Sequence, residues 1–205
     1  MTTLIELREQ FGNIDIYLFD QLLKGRFTQD MSILDAGCGD GRNLIYFMRS
    51  GYTCFAVDSS AQAVEHVQQM ANALAPQLPA ENFRVETIER MSFADASFDV
   101  VISSAVLHFA DDEEHFRSML AEMWRVLRPC GIFFARLASS IGIESKIMPR
   151  GDGRYLLPDG SERFLVAEKM LLDATDKLGA EFLEPIKTTN VQNLRAMTTW
   201  CLRRR

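Results

Sequence analysis

The chain has 205 residues, with 22 Lys+Arg against 28 Asp+Glu for a net charge of −6, and 47% of its residues are hydrophobic. That balance excludes a disordered chain and offers no positive excess to neutralise nucleic-acid phosphates. The length suits one domain, and no apolar run reaches the roughly 18 residues of a membrane span. The opening MTTLIELREQ carries Glu6 and Glu9 and lacks the apolar segment of a signal peptide, so a cytoplasmic protein is expected.

Asn13 to Lys24 places Ile16, Phe19, Leu22 and Leu23 on one helical face, with Gly25 as its stop. Ser32 to Asp35 is a short apolar strand that runs into a glycine loop. A helix is expected from Asn43 to Ser50, a strand from Cys54 to Val57, and a helix from Ala61 to Leu74 that stops at the Pro76–Pro79 region. Phe83 to Thr87 reads as a third strand, and Phe98 to Ser103 as a buried fourth. Asp111 to Leu127 is the clearest helix, with Phe116, Met119, Leu120, Met123, Trp124 and Leu127 on one face. Arg128 to Gly131 reads as a turn into a strand from Ile132 to Leu137.

The last third changes character. Tyr155–Leu157 and Arg163–Leu165 flank Pro158-Asp159-Gly160, which predicts a hairpin. A helix is expected from Val166 to Leu178, then strands at Phe182–Lys187 and Ala196–Leu202. Strands alternating with helices predict an α/β fold. The expected architecture is a Rossmann-like, doubly wound, seven-stranded sheet, mostly parallel, with an antiparallel last strand. Residues 1–205 would form one domain, with an N-terminal helical lid over 1–30. An insertion over 139–165 would carry the hairpin above the carboxyl ends of the strands, where open α/β sheets bind ligands. Cys38, Cys54, Cys130 and Cys201 form no C-x-x-C pair, so buried free thiols are expected, and three scattered histidines suggest no metal site.

The loop Asp35-Ala36-Gly37-Cys38-Gly39-Asp40-Gly41-Arg42-Asn43 follows a strand and opens a helix. Glycines there permit positive φ and close approach of a ligand to the backbone. Asp58 ends the next strand, 21 residues after Gly37, where a carboxylate accepts from both hydroxyls of a ribose. A dinucleotide loop reads G-x-G-x-x-G, whereas Arg42 stands at the third glycine here. Asp35 and Asp40 would repel a pyrophosphate. They suit a cofactor bearing an ammonium and a sulfonium, which is S-adenosylmethionine.

The sequence therefore resembles the class I S-adenosylmethionine-dependent methyltransferases. The likeness runs through Ile33-Leu34-Asp35-Ala36-Gly37-Cys38-Gly39-Asp40-Gly41, Ala56-Val57-Asp58, Ser97-Phe98-Asp99-Val100-Val101 and Arg125-Val126-Leu127-Arg128-Pro129. Gly41-Arg42-Asn43 followed by Tyr46 is also similar to the tellurite-resistance and thiopurine-type small methyltransferases. The resemblance implies that Asp35, Gly37, Cys38 and Gly39 hold the methionine end and that Asp58 holds the ribose. It puts Ser59, Thr87 and Ile88 at the adenine and the Ser103 backbone at the amino group. Thr87 stands where the family often has aspartate, and Cys130 replaces a usual glycine.

Methyl transfer from a sulfonium needs alignment more than acid–base help. A base matters only if the acceptor must lose a proton, and His108, or less readily His115, is the candidate. The Asn/Asp-Pro-Pro-aromatic pattern of enzymes methylating planar nitrogens is missing after Ile102. Acidity and brevity point to a small-molecule acceptor, with no nucleic acid and no membrane, acted on by a monomer or homodimer. Arg150, Arg154 and Arg163 around the hairpin would select an anionic or oxygen-rich acceptor, and Tyr17 would cover the site. An NAD-dependent oxidoreductase and a non-catalytic binding protein are the alternatives.

Overall fold

The computed structural model describes residues 4–205. Two helices open the chain, α1 (Leu4–Phe11) and α2 (Ile16–Leu23), of which the first was not expected from sequence. Then come β1 (Ser32–Ala36), α3 (Ile45–Arg49), β2 (Thr53–Asp58), α4 (Ala61–Leu74), β3 (Phe83–Val85), β4 (Phe98–Ser104), α5 (Glu113–Val126) and β5 (Leu127–Ser139). The last third holds β6 (Met148–Gly151), β7 (Arg154–Leu156), β8 (Glu162–Phe164), α6 (Glu168–Lys177), β9 (Ala180–Phe182), β10 (Lys187–Val191) and β11 (Arg195–Arg204). No described helix is long and apolar enough to cross a membrane.

The main sheet has the order β10-β11-β5-β4-β1-β2-β3. β3, β2, β1, β4 and β5 are mutually parallel, and β11 runs antiparallel to β5. Consecutive residues of the central strands serve opposite faces. Ile33, Val100 and Ile102 pack with Leu18, Phe47 and Val64 on one side. Leu34, Val101 and Phe133 pack with Phe116, Leu171 and Trp200 on the other. Coverage on both faces is why these strands read as continuous apolar runs. Helix ends follow local chemistry: Ser60 caps α4 by accepting from the Ala63 N–H, and Asp112 caps α5 by accepting from the His115 N–H.

Three local expectations need correction. The seven-position sheet contains an eighth strand, because the edge expected to be one strand over Phe182–Lys187 is built from two strands that overlap that span only at Phe182 and Lys187. β9 and β10 run along the same edge of β11, separated by residues 183–186, which include Pro185. Proline has no N–H to give the ladder. The hairpin of β7 and β8 is present, but β6 joins it to make a separate three-stranded sheet.

The third correction concerns Arg128–Gly131, which is not a turn between helix and strand but lies inside β5. Between the Phe98–Leu127 and Val100–Ile132 pairs, β5 carries three more residues than β4, so the ladder bulges there. Cys130 takes φ +64° at this bulge and is exposed, unlike the other three cysteines, which are buried. Gly131 has no room for a side chain, since a Cβ would lie 2.8 Å from the Arg128 carbonyl and 3.0 Å from that of Asp99.

A left-handed backbone costs an ordinary residue on the order of 1 kcal/mol, and glycine relieves it at some entropic expense. Cys130→Gly should therefore raise stability by about 0.5–1 kcal/mol, read as a higher urea midpoint with an unchanged slope. An unchanged or lower midpoint would show that the bulge does not strain Cys130.

Candidate functional site

The loop after β1 is tied to the end of β2. The Val57 carbonyl accepts from the N–H groups of Gly37 (2.8 Å) and Cys38 (3.0 Å). The Asp58 carboxylate accepts from Gly39 N–H through Oδ2 and from Ser60 N–H through Oδ1, both at 2.9 Å. Gly37 sits at φ +81°, and a Cβ there would lie 2.6 Å from Cγ2 of Val106. Backbone thus occupies ground that any side chain would fill, and the space beside it stays open.

That space is a cavity of about 490 Å³ at the carboxyl ends of β1, β2, β3 and β4. Seven residues expected at the cofactor line it: Gly37, Cys38, Gly39, Asp58, Ser59, Thr87 and Ile88. Asp35 and Ser103 do not reach its wall. Both are fully buried at strand ends beneath it, and neither side chain has a hydrogen-bond partner. Ser104, the neighbour of Ser103, lines the cavity instead, as does Ala105, which is held at φ +65°. Arg42, Asn43, Glu89 and Phe109 also line it without having been assigned there from sequence, and so does His115, the less favoured of the two candidate bases.

Burial raises the Asp35 pKa to about 7; Asp58 and Asp40 add to this, while Arg42 and Asn43 oppose it. Burial also pushes the Cys38 thiol upward, with Asp35 and Asp58 contributing, so Cys38 stays a neutral thiol.

A second polar cluster adjoins the cavity. Asp15, the cap of α2, is buried and accepts from Tyr17 N–H at 2.9 Å. Its Oδ2 accepts from Arg136 (3.0 Å) and from the Ser104 hydroxyl (3.4 Å) and lies 3.7 Å from Arg42. Arg42 donates onward to Ser104 and to the Asn13 carbonyl, each at 3.0 Å. Asp15 N–H donates to Asn43 at 3.0 Å. The helices before β1 are thereby fastened to the glycine loop.

The other expected site residues are placed as follows. His108 lies behind the wall, and its Nδ1 accepts from Ala138 N–H at 3.2 Å. Burial lowers its pKa to about 4, and Arg163 adds to the effect. Tyr17 hydrogen-bonds Thr189 and lies 5.0 Å beneath the Arg136 guanidinium, off the cavity. Arg154 donates to the Ala110 carbonyl (2.8 Å) and to Glu162 (3.1 Å), which fixes the hairpin to the segment between β4 and α5. Arg163 stands 5.0 Å over the ring of Phe109 at the cavity mouth. Arg150 is exposed on β6.

The raised pKa of Asp35 has a stability consequence. The folded state holds this proton more tightly than the unfolded chain, so the contribution is complete below about pH 4 and is lost as pH rises through about 7. At about 1.4 kcal/mol per unit this amounts to at most about 4 kcal/mol. Asp35→Asn should remove that dependence. Its stability relative to the parent, from urea unfolding of the ligand-free proteins, should improve between pH 5 and pH 7 and level off above that. Parallel pH profiles would mean that Asp35 does not titrate in this range.

Residues 34–135 match the family model described as a methyltransferase domain. The chain is 27% identical over 137 residues to the tRNA 5-carboxymethoxyuridine methyltransferase of Escherichia coli K12, covering 67% of this chain and 51% of that one. It is 30% identical over 125 residues to a malonyl-[acyl-carrier protein] O-methyltransferase of Pectobacterium atrosepticum, covering 60% and 46%. The chain thus spans about half the length of these curated relatives. A crystal structure of a methyltransferase from Methanosarcina mazei superposes with a TM-score of 0.73 at 20% identity, over 89% of this chain and 96% of that one. With the glycine loop, Asp58 and the sheet order in place, the chain belongs to the class I S-adenosylmethionine-dependent methyltransferase family.

Proposed function

We propose that this chain binds S-adenosylmethionine and transfers its methyl group to a small anionic or oxygen-rich acceptor by in-line displacement. The observation that carries the reading is one cavity lined together by the crowded backbone of Gly37 and by Asp40 and Asp58, with the buried Asp35 close by. The residues present fit that cofactor. Asp58 retains acceptor capacity beyond its two backbone bonds and suits a ribose diol. The acidic loop suits an ammonium and disfavours a pyrophosphate. Arg42 is the one arginine or lysine on the cavity wall among the described residues, and it suits the methionine carboxylate.

When bound, S-adenosylmethionine supplies a methyl group on a sulfonium, which leaves as a neutral thioether. The chain's own contribution is alignment and exclusion of water. Phe109, which carries Arg163 of the hairpin over its ring, lines the cavity, and this part of the wall is the one we assign to the acceptor. Arg163, stacked on Phe109, offers a cation at that mouth. No proton transfer is assigned to His108, because the ring nitrogen free of its proton is engaged by Ala138.

The curated relatives support methyl transfer while their names differ in acceptor, one citing tRNA and the other a malonyl group on a carrier protein. The test is calorimetry followed by turnover. S-adenosylhomocysteine should bind at submicromolar concentration, NAD(H) should not, and Asp58→Ala should weaken the former by about 10- to 100-fold with its circular dichroism unchanged. Small carboxylic and hydroxylated acids should be methylated in preference to tRNA and acyl carrier protein. Arg163→Ala should raise KM for an anionic acceptor and leave S-adenosylhomocysteine affinity alone. Tight NAD(H) binding would sink the reading, and turnover confined to tRNA or carrier protein would overturn the acceptor class.

A further inference from the structure

A second cavity, of about 610 Å³, shares no lining residue with the cofactor cavity among the described residues. It is a groove between α5 and α6. α5 lines it with Phe116 and Leu120, and α6 with Met170, Ala174 and Leu178. These positions recur every four residues, so each helix turns one apolar stripe to the groove. Phe164 of β8 closes the end near the helix starts, where its ring stacks on that of Phe116 with centroids 5.4 Å apart. Water gains little from such a trough, and cavities of this size and lining commonly hold small ligands.

The charges along the rim say which ligand. Arg117 is paired with Glu113, and Lys169 with Asp173 at 2.6 Å, each pair four residues apart on its own helix. Both pairs are satisfied locally and offer little to a polypeptide surface. Lys177, in the last turn of α6, also lines the groove and has no ion pair or hydrogen bond among the described residues. The described rim therefore holds three cations against two carboxylates, and the unpaired one stands at the end away from Phe164. One free cation at one end of an apolar trough matches one anionic head on one chain. A docked protein helix would bring many polar groups and find a single unpaired charge to answer them. The whole chain carries −6, so attraction of an anion to this place is local.

The groove also reaches the hairpin. Successive residues of a strand point to opposite sides. Arg163 stands over Phe109 at the mouth of the cofactor cavity, and Phe164, the next residue, faces the groove. A molecule packed on Phe164 restrains the strand that carries Arg163.

We propose that this groove is a second ligand site, for a free molecule with one unbranched apolar chain and one carboxylate head. The head lies at Lys177 and the chain runs toward Phe164. Occupancy steadies the hairpin from outside the cofactor cavity, and the site does not rest on the cofactor reading.

The experiment is calorimetry on the full chain with decanoate, octanoate and decyltrimethylammonium, each below its micelle concentration. Decanoate should bind at one site, about tenfold more tightly than octanoate, since each buried methylene contributes about three- to fourfold. It should bind about fivefold more tightly than decyltrimethylammonium, and Lys177→Glu should remove that preference. Ala174→Leu, which narrows the groove, should weaken decanoate about tenfold with the urea midpoint retained. S-adenosylhomocysteine should leave decanoate affinity unchanged, and bound decanoate should slow amide hydrogen exchange across residues 154–164. No binding of decanoate, its displacement by S-adenosylhomocysteine, a preference that survives Lys177→Glu, or unaltered exchange in the hairpin would each overturn the proposal. A concentration-dependent doubling of mass that Ala174→Leu abolishes would give the groove to a second copy of the chain and overturn it as well.

Discussion

The site depends on one carbonyl. Val57, at the end of β2, accepts from both Gly37 and Cys38, and this pins the loop after β1 sideways across the sheet. The pinning demands positive φ at Gly37 and leaves no space for a side chain there. Asp58, the next residue, then reaches back to cap Gly39 N–H. Three consecutive loop residues are therefore fixed by two consecutive strand residues. The cavity is the volume that this crossing keeps clear of side chains.

Around that frame the charges are arranged unevenly. Carboxylates surround the loop, and one of them, Asp35, is so far from water that it stays largely protonated below neutral pH. The compensating cations stand to one side. Arg42 and Arg136 converge on the buried Asp15, which belongs to the segment before β1. Removing Asp15 would leave two guanidinium groups short of a partner beside the cavity, a more costly change than losing an exposed ion pair. The first two helices are thus electrostatically part of the site, although they contribute no strand to the sheet.

How much of this was legible in the sequence followed from how local the signal was. α4 was readable to the residue because Ser60 supplies the cap and Pro76 forbids continuation. The glycine loop and Asp58 were readable because the backbone geometry that they satisfy is set within a few residues. β6 was not, since Met148-Pro149-Arg150-Gly151 has neither apolar alternation nor β-branched residues and gains its pairing only from β7. Ser104 and Glu89 were missed by one residue each, because the ends of β3 and β4 decide which neighbour faces the cavity. The Asp15–Arg136 pair spans 121 residues, and only the folded sheet brings it together. The bulge at Cys130 was hidden because an exposed cysteine in the left-handed region imitates the turn residue expected at that place.

The interruption at Pro185 bears on how this molecule avoids its own kind. An open sheet ends in two rows of unpaired backbone groups, and a long straight row is a template on which another chain can grow. Here one border is β3, only three residues long. The other is divided by Pro185 into β9 of three residues and β10 of five, the latter carrying Lys187, Thr188, Thr189 and Asn190. Neither border offers a continuous apolar ribbon. The same proline that costs the sheet part of a strand also guards it against edge-to-edge aggregation.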